Sequence, residues 1–218
     1  MDNKTNAAVR IRSLSVSSSW KKRWGRPDTE VWLMRHGRAG GNRRHLFNGT
    51  KRDPPLTELG KKQMRAAAKA MARAMKGRPD AILVSPMLRA RQSAYPLAKK
   101  FRLRPIVLPL LTEQATGAWT GKSAVEICRQ HPELFYRYAG GRVSHFFRRA
   151  PGGEPWASVL GRAGRLLNYL KKHHRGERVV LVSHGVLLLA CISRLCSKKP
   201  PALLDLRLKN AEPVKMRI

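Results

Sequence analysis

Three uninterrupted apolar runs limit the possible folds of this chain more than any other feature: Val31-Trp32-Leu33-Met34, Ala81-Ile82-Leu83-Val84 and Val179-Val180-Leu181-Val182. Each has the length and composition of a β-strand buried on both faces, where polar alternation has no place. Between them lie long segments rich in Ala, Leu and Lys/Arg, running from Thr57 to near Gly77, from Met87 to about Lys100, and from near Trp156 to His174. Thr57 has the chemistry of an N-cap, and Gly77 that of a helix stop. Pro105 to Leu110 reads as a further strand. Strands alternating with helices imply parallel βαβ units. The expected fold is therefore α/β, a three-layer sandwich whose mostly parallel central sheet carries helices on both faces, formed by one domain over residues 29–218.

Residues 1–28 read differently. They are rich in Ser, Arg and Lys, with Asp2 the one acid before Asp28, and they lack the apolar core of a secretory signal. A disordered basic tail is the favoured reading, with an organelle address as the alternative. The whole chain holds 45 Lys and Arg against 13 Asp and Glu, a formal net charge of +32. Such a surface favours contact with polyanions such as nucleic acid or polyphosphate, although the basic residues are spread along the chain and do not form one block. The three cysteines, Cys128, Cys191 and Cys196, include no CxxC pair, which points to a reducing compartment and a cytoplasmic protein. No run is long enough to span a bilayer, the most apolar being Val186 to Ile192. Oligomeric state is not legible.

In open α/β sheets, binding sites lie beyond the carboxyl ends of the strands. Three segments fall there: Arg35-His36-Gly37, Ser85 to Arg89, and Ser183-His184-Gly185. Two histidines and two arginines would thus converge. A guanidinium matches a phosphate dianion through bidentate, charge-assisted hydrogen bonds, and a neutral imidazole nitrogen can attack phosphorus to give a covalent intermediate. Each element alone is weak, because a single His or Arg more often serves packing or solvation. Two His-Gly turns, each directly after a buried strand, form a much less common arrangement.

These motifs resemble the histidine phosphatase superfamily, also called phosphoglycerate-mutase-like. The resemblance rests on Leu33-Met34-Arg35-His36-Gly37, Pro55-Leu56-Thr57-Glu58-Leu59-Gly60, Ser85-Pro86-Met87-Leu88-Arg89-Ala90-Arg91-Gln92-Ser93-Ala94 and Val182-Ser183-His184-Gly185, and on Glu113 followed by Gly117, Trp119 and Gly121. It implies His36 as nucleophile, Glu113 as acid and base, and Arg35, Asn42, Arg89 and His184 as phosphate ligands. It implies hydrolysis of a small phosphorylated substrate through a phosphohistidine, with no metal and no cofactor. The short segment after Glu113 is similar to the phosphatase branch. The alternatives are a cofactor-dependent mutase of the same superfamily and a basic polyanion-binding protein on the same scaffold. Pro151-Gly152-Gly153-Glu154 resembles the family's Gly-Glu-Ser turn with Pro155 in place of Ser, and that turn is assigned no substrate role.

Overall fold

The computed structural model describes residues 9–18, 28–40, 46–75, 77–131, 150–197 and 208–218. In chain order these form strand β1 (Arg12–Ser13), β2 (Glu30–Arg35), helix α1 (Glu58–Ala74), β3 (Ala81–Val84), α2 (Leu88–Phe101), β4 (Ile106–Val107), α3 (Ala124–Gln130), α4 (Trp156–His173), β5 (Arg178–Ser183), α5 (Gly185–Cys196) and β6 (Pro213–Arg217). Among the described residues the strands make one sheet in the order β1-β6-β2-β5-β3-β4. β2, β5, β3 and β4 run parallel, while β6 is antiparallel to β2 and parallel to β1.

The pleat sends successive side chains to opposite faces, and the apolar runs fill both. Val31, Leu33, Ala81, Leu83, Val179 and Leu181 join a cluster closed by Val159, Ala163, Leu166 and Leu170 of α4 and by Leu187, Leu188 and Cys191 of α5. Trp32, Met34, Ile82, Val84, Val180 and Val182 pack beneath Met64, Ala67 and Met71 of α1 and Ala90, Ala94 and Leu97 of α2. The three-layer sandwich is therefore built as the apolar runs require. Each fully buried Val, Leu or Ile adds on the order of 1.5–3 kcal/mol.

Helix α1 starts where Thr57 was expected to cap it: its side chain accepts from the Gly60 N–H at 3.0 Å. Arg38 O in turn accepts from the Thr57 N–H and hydroxyl. A Cβ on Gly60 would lie 2.0 Å from Arg38 O, so this close approach admits glycine alone. The turn after β2 is thereby locked onto the first turn of α1. The helix ends at Ala74, a few residues before Gly77. The expected strand over Pro105–Leu110 shortens to Ile106–Val107, because Pro109–Leu111 tightens into a 3-10 turn.

Within residues 1–28, expected to form a disordered tail, residues 9–18 are described and reach β6. Arg12 and Ser13 pair with Val214 and Lys215 of β6, and Val16 is buried. The free edge of β6 supplies backbone partners, and Val9, Ile11, Leu14 and Val16 supply enough apolar surface to dock. Residues 1–8 and 19–27 of that segment lie outside the described residues. No helix among the described residues is long and apolar enough to cross a membrane.

Candidate active site

Strand register assembles the site. β2 and β5 are neighbours, with Arg35 opposite Ser183, so the two His-Gly turns emerge side by side. The His36 N–H donates to Ser183 O at 2.9 Å, and the ring centroids of His36 and His184 lie 5.2 Å apart. β3 flanks β5 with Val84 opposite Val182, which sets Ser85 beside His184. Both histidines are buried.

The hydrogen bond of His36 fixes its tautomer, and that of His184 pairs it with a hydroxyl. His36 Nδ1 lies 2.7 Å from Gly37 O, and a carbonyl only accepts, so Nδ1 carries the proton and Nε2 keeps its lone pair. His184 bonds through its other nitrogen, with Nε2 2.8 Å from Ser85 Oγ. Ser85 Oγ accepts from the Met87 N–H, and as a hydroxyl it can donate its own proton to His184 Nε2. His184 is then protonated at Nδ1, a buried atom without a partner among the described residues. Burial, with Arg35 and Arg89 nearby, pushes the His36 pKa down to about 3. Burial also takes His184 well below its ordinary value, helped by the positive charges around it. Both rings are neutral at physiological pH.

Arg35 donates from one terminal nitrogen to Leu208 O at 3.0 Å, and its buried Nε has no partner among the described residues. Arg89, buried in the first turn of α2, holds a loop: it donates to Arg52 O, Gly49 O and Asp53 Oδ1 at 2.9, 3.0 and 3.1 Å. Its Nε and one further N–H make no hydrogen bond among the described residues. Asp53 also accepts the backbone N–H groups of Leu88 and Arg89, capping a helix whose own N-cap, Met87, makes no side-chain bond. Burial pulls both guanidinium pKa values down, and the Glu113 carboxylate opposes this. Glu113 faces the start of α5, accepting from the Leu187 and Val186 N–H groups at 3.4 and 3.5 Å.

Five of the six residues expected at the site, His36, His184, Arg35, Arg89 and Glu113, are thus brought together. Asn42 lies outside the described residues. Trp119, part of the segment that follows Glu113, packs with Ile127 and Ala150. Sequence reasoning missed three supports: Ser85, Asp53 and Asn210, whose side-chain amide donates to His36 O at 2.7 Å. Ser85 was detectable, since it directly follows a buried strand. Nothing in the local sequence marks Asp53 or Asn210.

Neutral imidazoles, two guanidiniums and buried nitrogens without partners among the described residues meet at the carboxyl ends of parallel strands, an arrangement suited to a phosphoryl group. The chain belongs to the histidine phosphatase superfamily (branch 1), whose pattern matches residues 31–218. It is 32% identical over 169 residues to a bifunctional protein of Mycobacterium tuberculosis, a match covering 78% of this chain but only 44% of that protein. Over 154 residues it is 32% identical to phosphoserine phosphatase 1 of Hydrogenobacter thermophilus, covering 71% of this chain and 70% of the relative. It is 29% identical to a 2,3-bisphosphoglycerate-dependent phosphoglycerate mutase of Methylocella silvestris, covering 88% and 93%. Among solved structures, a phosphoserine phosphatase from Entamoeba histolytica in complex with 3-phosphoglyceric acid superposes with a TM-score of 0.70 at 26% identity, covering 84% of this chain and 87% of that one.

Proposed function

We propose that the protein is a metal-independent phosphomonoester hydrolase working through a phosphohistidine at His36. The observation that carries this reading is the pairing of the His36 Nε2 lone pair with two buried nitrogens, Arg35 Nε and His184 Nδ1, that have no partner among the described residues. Nε2 attacks phosphorus, forming the N–P bond as the P–O bond to the alcohol breaks. Arg35, Arg89 and His184 stabilise charge on the equatorial oxygens; such positioning and electrostatics supply most of the catalysis in phosphoryl transfer. Asn42 is assigned as a further donor on the family pattern alone. Glu113 in its acid form gives its proton to the leaving alkoxide. As carboxylate it then takes a proton from water, whose oxygen displaces Nε2 and releases inorganic phosphate.

Relatives named as phosphoserine phosphatases support a small phosphorylated metabolite as substrate. The matching mutases support a second reading, in which the released alcohol is rephosphorylated; a requirement for a bisphosphate primer separates the two. The excess of basic residues supports an accessory contact with polyanions, read as binding that weakens steeply with salt. Three cysteines without a CxxC pair support a reducing, cytoplasmic setting. The test is phosphate release from phosphomonoesters in EDTA, with a neutral quench to trap phosphohistidine. Turnover and label in the wild type, both absent from His36→Ala, are expected; a wild type silent across a panel of phosphomonoesters overturns the reading.

A further inference from the structure

Glu113 sits on irregular backbone between the 3-10 turns at Pro109–Leu111 and Gly117–Trp119, so its aim depends on what holds that strip. Arg162 of α4 holds it. Its guanidinium donates to Leu110 O and Glu113 O, each at 3.3 Å, and to Thr112 O. It also donates to both carboxylate oxygens of Glu154, Nε to Oε1 at 3.3 Å and a terminal nitrogen to Oε2 at 2.7 Å. All five of its N–H groups are therefore engaged. None remains for a substrate phosphate, although Arg162 is close enough to the site to depress the His184 pKa.

Glu154 completes the clamp. Its carboxylate also accepts from the Ser158 hydroxyl at 3.1 Å, its N–H donates to Ala115 O, and its own carbonyl accepts from the Gln114 side chain, both at 2.8 Å. The backbone from Leu110 to Ala115 is thus gripped on both sides of Glu113. The pair is largely buried, with side-chain exposures of 12% and 17%. A buried bidentate pair is geometrically specific and adds little net stability, so its value lies in the geometry it fixes.

We infer that Arg162, locked by Glu154, is the positioning residue for the Glu113 carboxyl, and that it sets how well the enzyme cleaves phosphates with poor leaving groups. The inference rests on the assignment of Glu113 as the acid and base. An alkoxide leaving group needs the Glu113 proton as the P–O bond breaks; a nitrophenolate leaves without it. The return step, in which Glu113 takes a proton from water, is common to both substrates. Misplacing Glu113 therefore lowers kcat/KM for an alkyl phosphate and spares it for an aryl phosphate. With the aryl substrate the phosphoenzyme then accumulates, so kcat and KM fall together.

The experiment compares wild type, Arg162→Lys, Glu154→Gln and Glu113→Gln on glycerol 2-phosphate and 4-nitrophenyl phosphate, with thermal midpoints as a control on folding. Arg162→Lys is expected to lose about 10–100-fold in kcat/KM on glycerol 2-phosphate, as when a supporting contact to a site residue is removed. On 4-nitrophenyl phosphate it is expected to lose less than about threefold, while trapped phosphohistidine rises. Glu154→Gln should change both substrates in the same direction by less, and it carries the test if Arg162→Lys does not fold. Equal losses on both substrates in the Arg162 and Glu154 variants, with Glu113→Gln showing the selective loss, overturn this inference alone. A Glu113→Gln variant indifferent to the leaving group removes the acid assignment beneath it. A wild type inert on both substrates removes the hydrolase reading itself.

Discussion

The chain carries the same device twice, a buried strand running into His-Gly, and the fold uses the two copies in opposite ways. After β2 the chain continues into a loop: His36 bonds back to its neighbour Gly37 through Nδ1, and its backbone carbonyl is held by Asn210. After β5 the chain turns at once into a helix: His184 is the N-cap of α5, and its ring reaches across to Ser85 on β3 through Nε2. One imidazole is left with an open lone pair, the other with an open N–H. On the proposed reading the same His-Gly dipeptide thus yields a nucleophile and an oxyanion donor, the choice following from which nitrogen meets a carbonyl and which meets a hydroxyl.

The sharpest way to break this contrast is to remove each ring. His36→Ala is expected to lower kcat by at least about 10⁴-fold and abolish the phosphohistidine label, since removing a nucleophile leaves only binding and oxyanion stabilisation. His184→Ala is expected to cost about 10²–10³-fold, the scale of one lost oxyanion donor, and to retain slow labelling at His36. His184→Asn keeps an amide N–H near the Nδ1 position and should recover part of the loss. Labelling that survives His36→Ala and vanishes in His184→Ala would exchange the two roles.

Next in size is the response of stability to pH. The folded His36 resists protonation down to about pH 3, whereas in the unfolded chain it takes a proton near its ordinary value of 6.5. Between those values the unfolded state binds more protons, so stability falls as pH falls. The loss approaches about 1.4 kcal/mol per pH unit per histidine, or roughly 2 kcal/mol for His36 by pH 5. Urea midpoints from pH 7 to 5 should therefore fall less steeply in His36→Ala than in the wild type; parallel slopes would show that His36 is not held neutral by the fold. The smallest expected effect is that of Ser85→Ala, which frees the His184 ring without removing it and should cost about 10-fold in kcat/KM while leaving the His36 label intact.

The layers of the fold were legible because four-residue apolar runs have few alternatives: once both faces must be covered, βαβ units follow. The site was legible for the same reason, since strand ends in such a sheet are adjacent. β1 and β6 were not, because both are short and they pair with each other across about 200 residues of sequence. α5 was seen only as an apolar run, as periodicity is lost in a helix buried on most sides. Asp53 and Asn210 act across 36 and 174 residues, beyond the reach of any local pattern. Arg162 did leave a trace. It falls on the apolar stripe of α4, three residues after Val159 and four before Leu166, where a lone charge calls for a buried partner.

The position of β2 has a consequence for the order in which the molecule assembles. Its neighbours are β5 and β6, roughly 150 and 180 residues further along the chain, and Arg35 and His36 are anchored by Leu208, Asn210 and Ala211. Contacts this distant in sequence form slowly, because a long loop must close before they return any stabilisation. During synthesis His36 emerges early and stays unaligned until the residues from β5 to β6 have followed it. On the proposed reading, hydrolytic competence therefore awaits β6 and the residues just before it, which hold Arg35 and His36 in place.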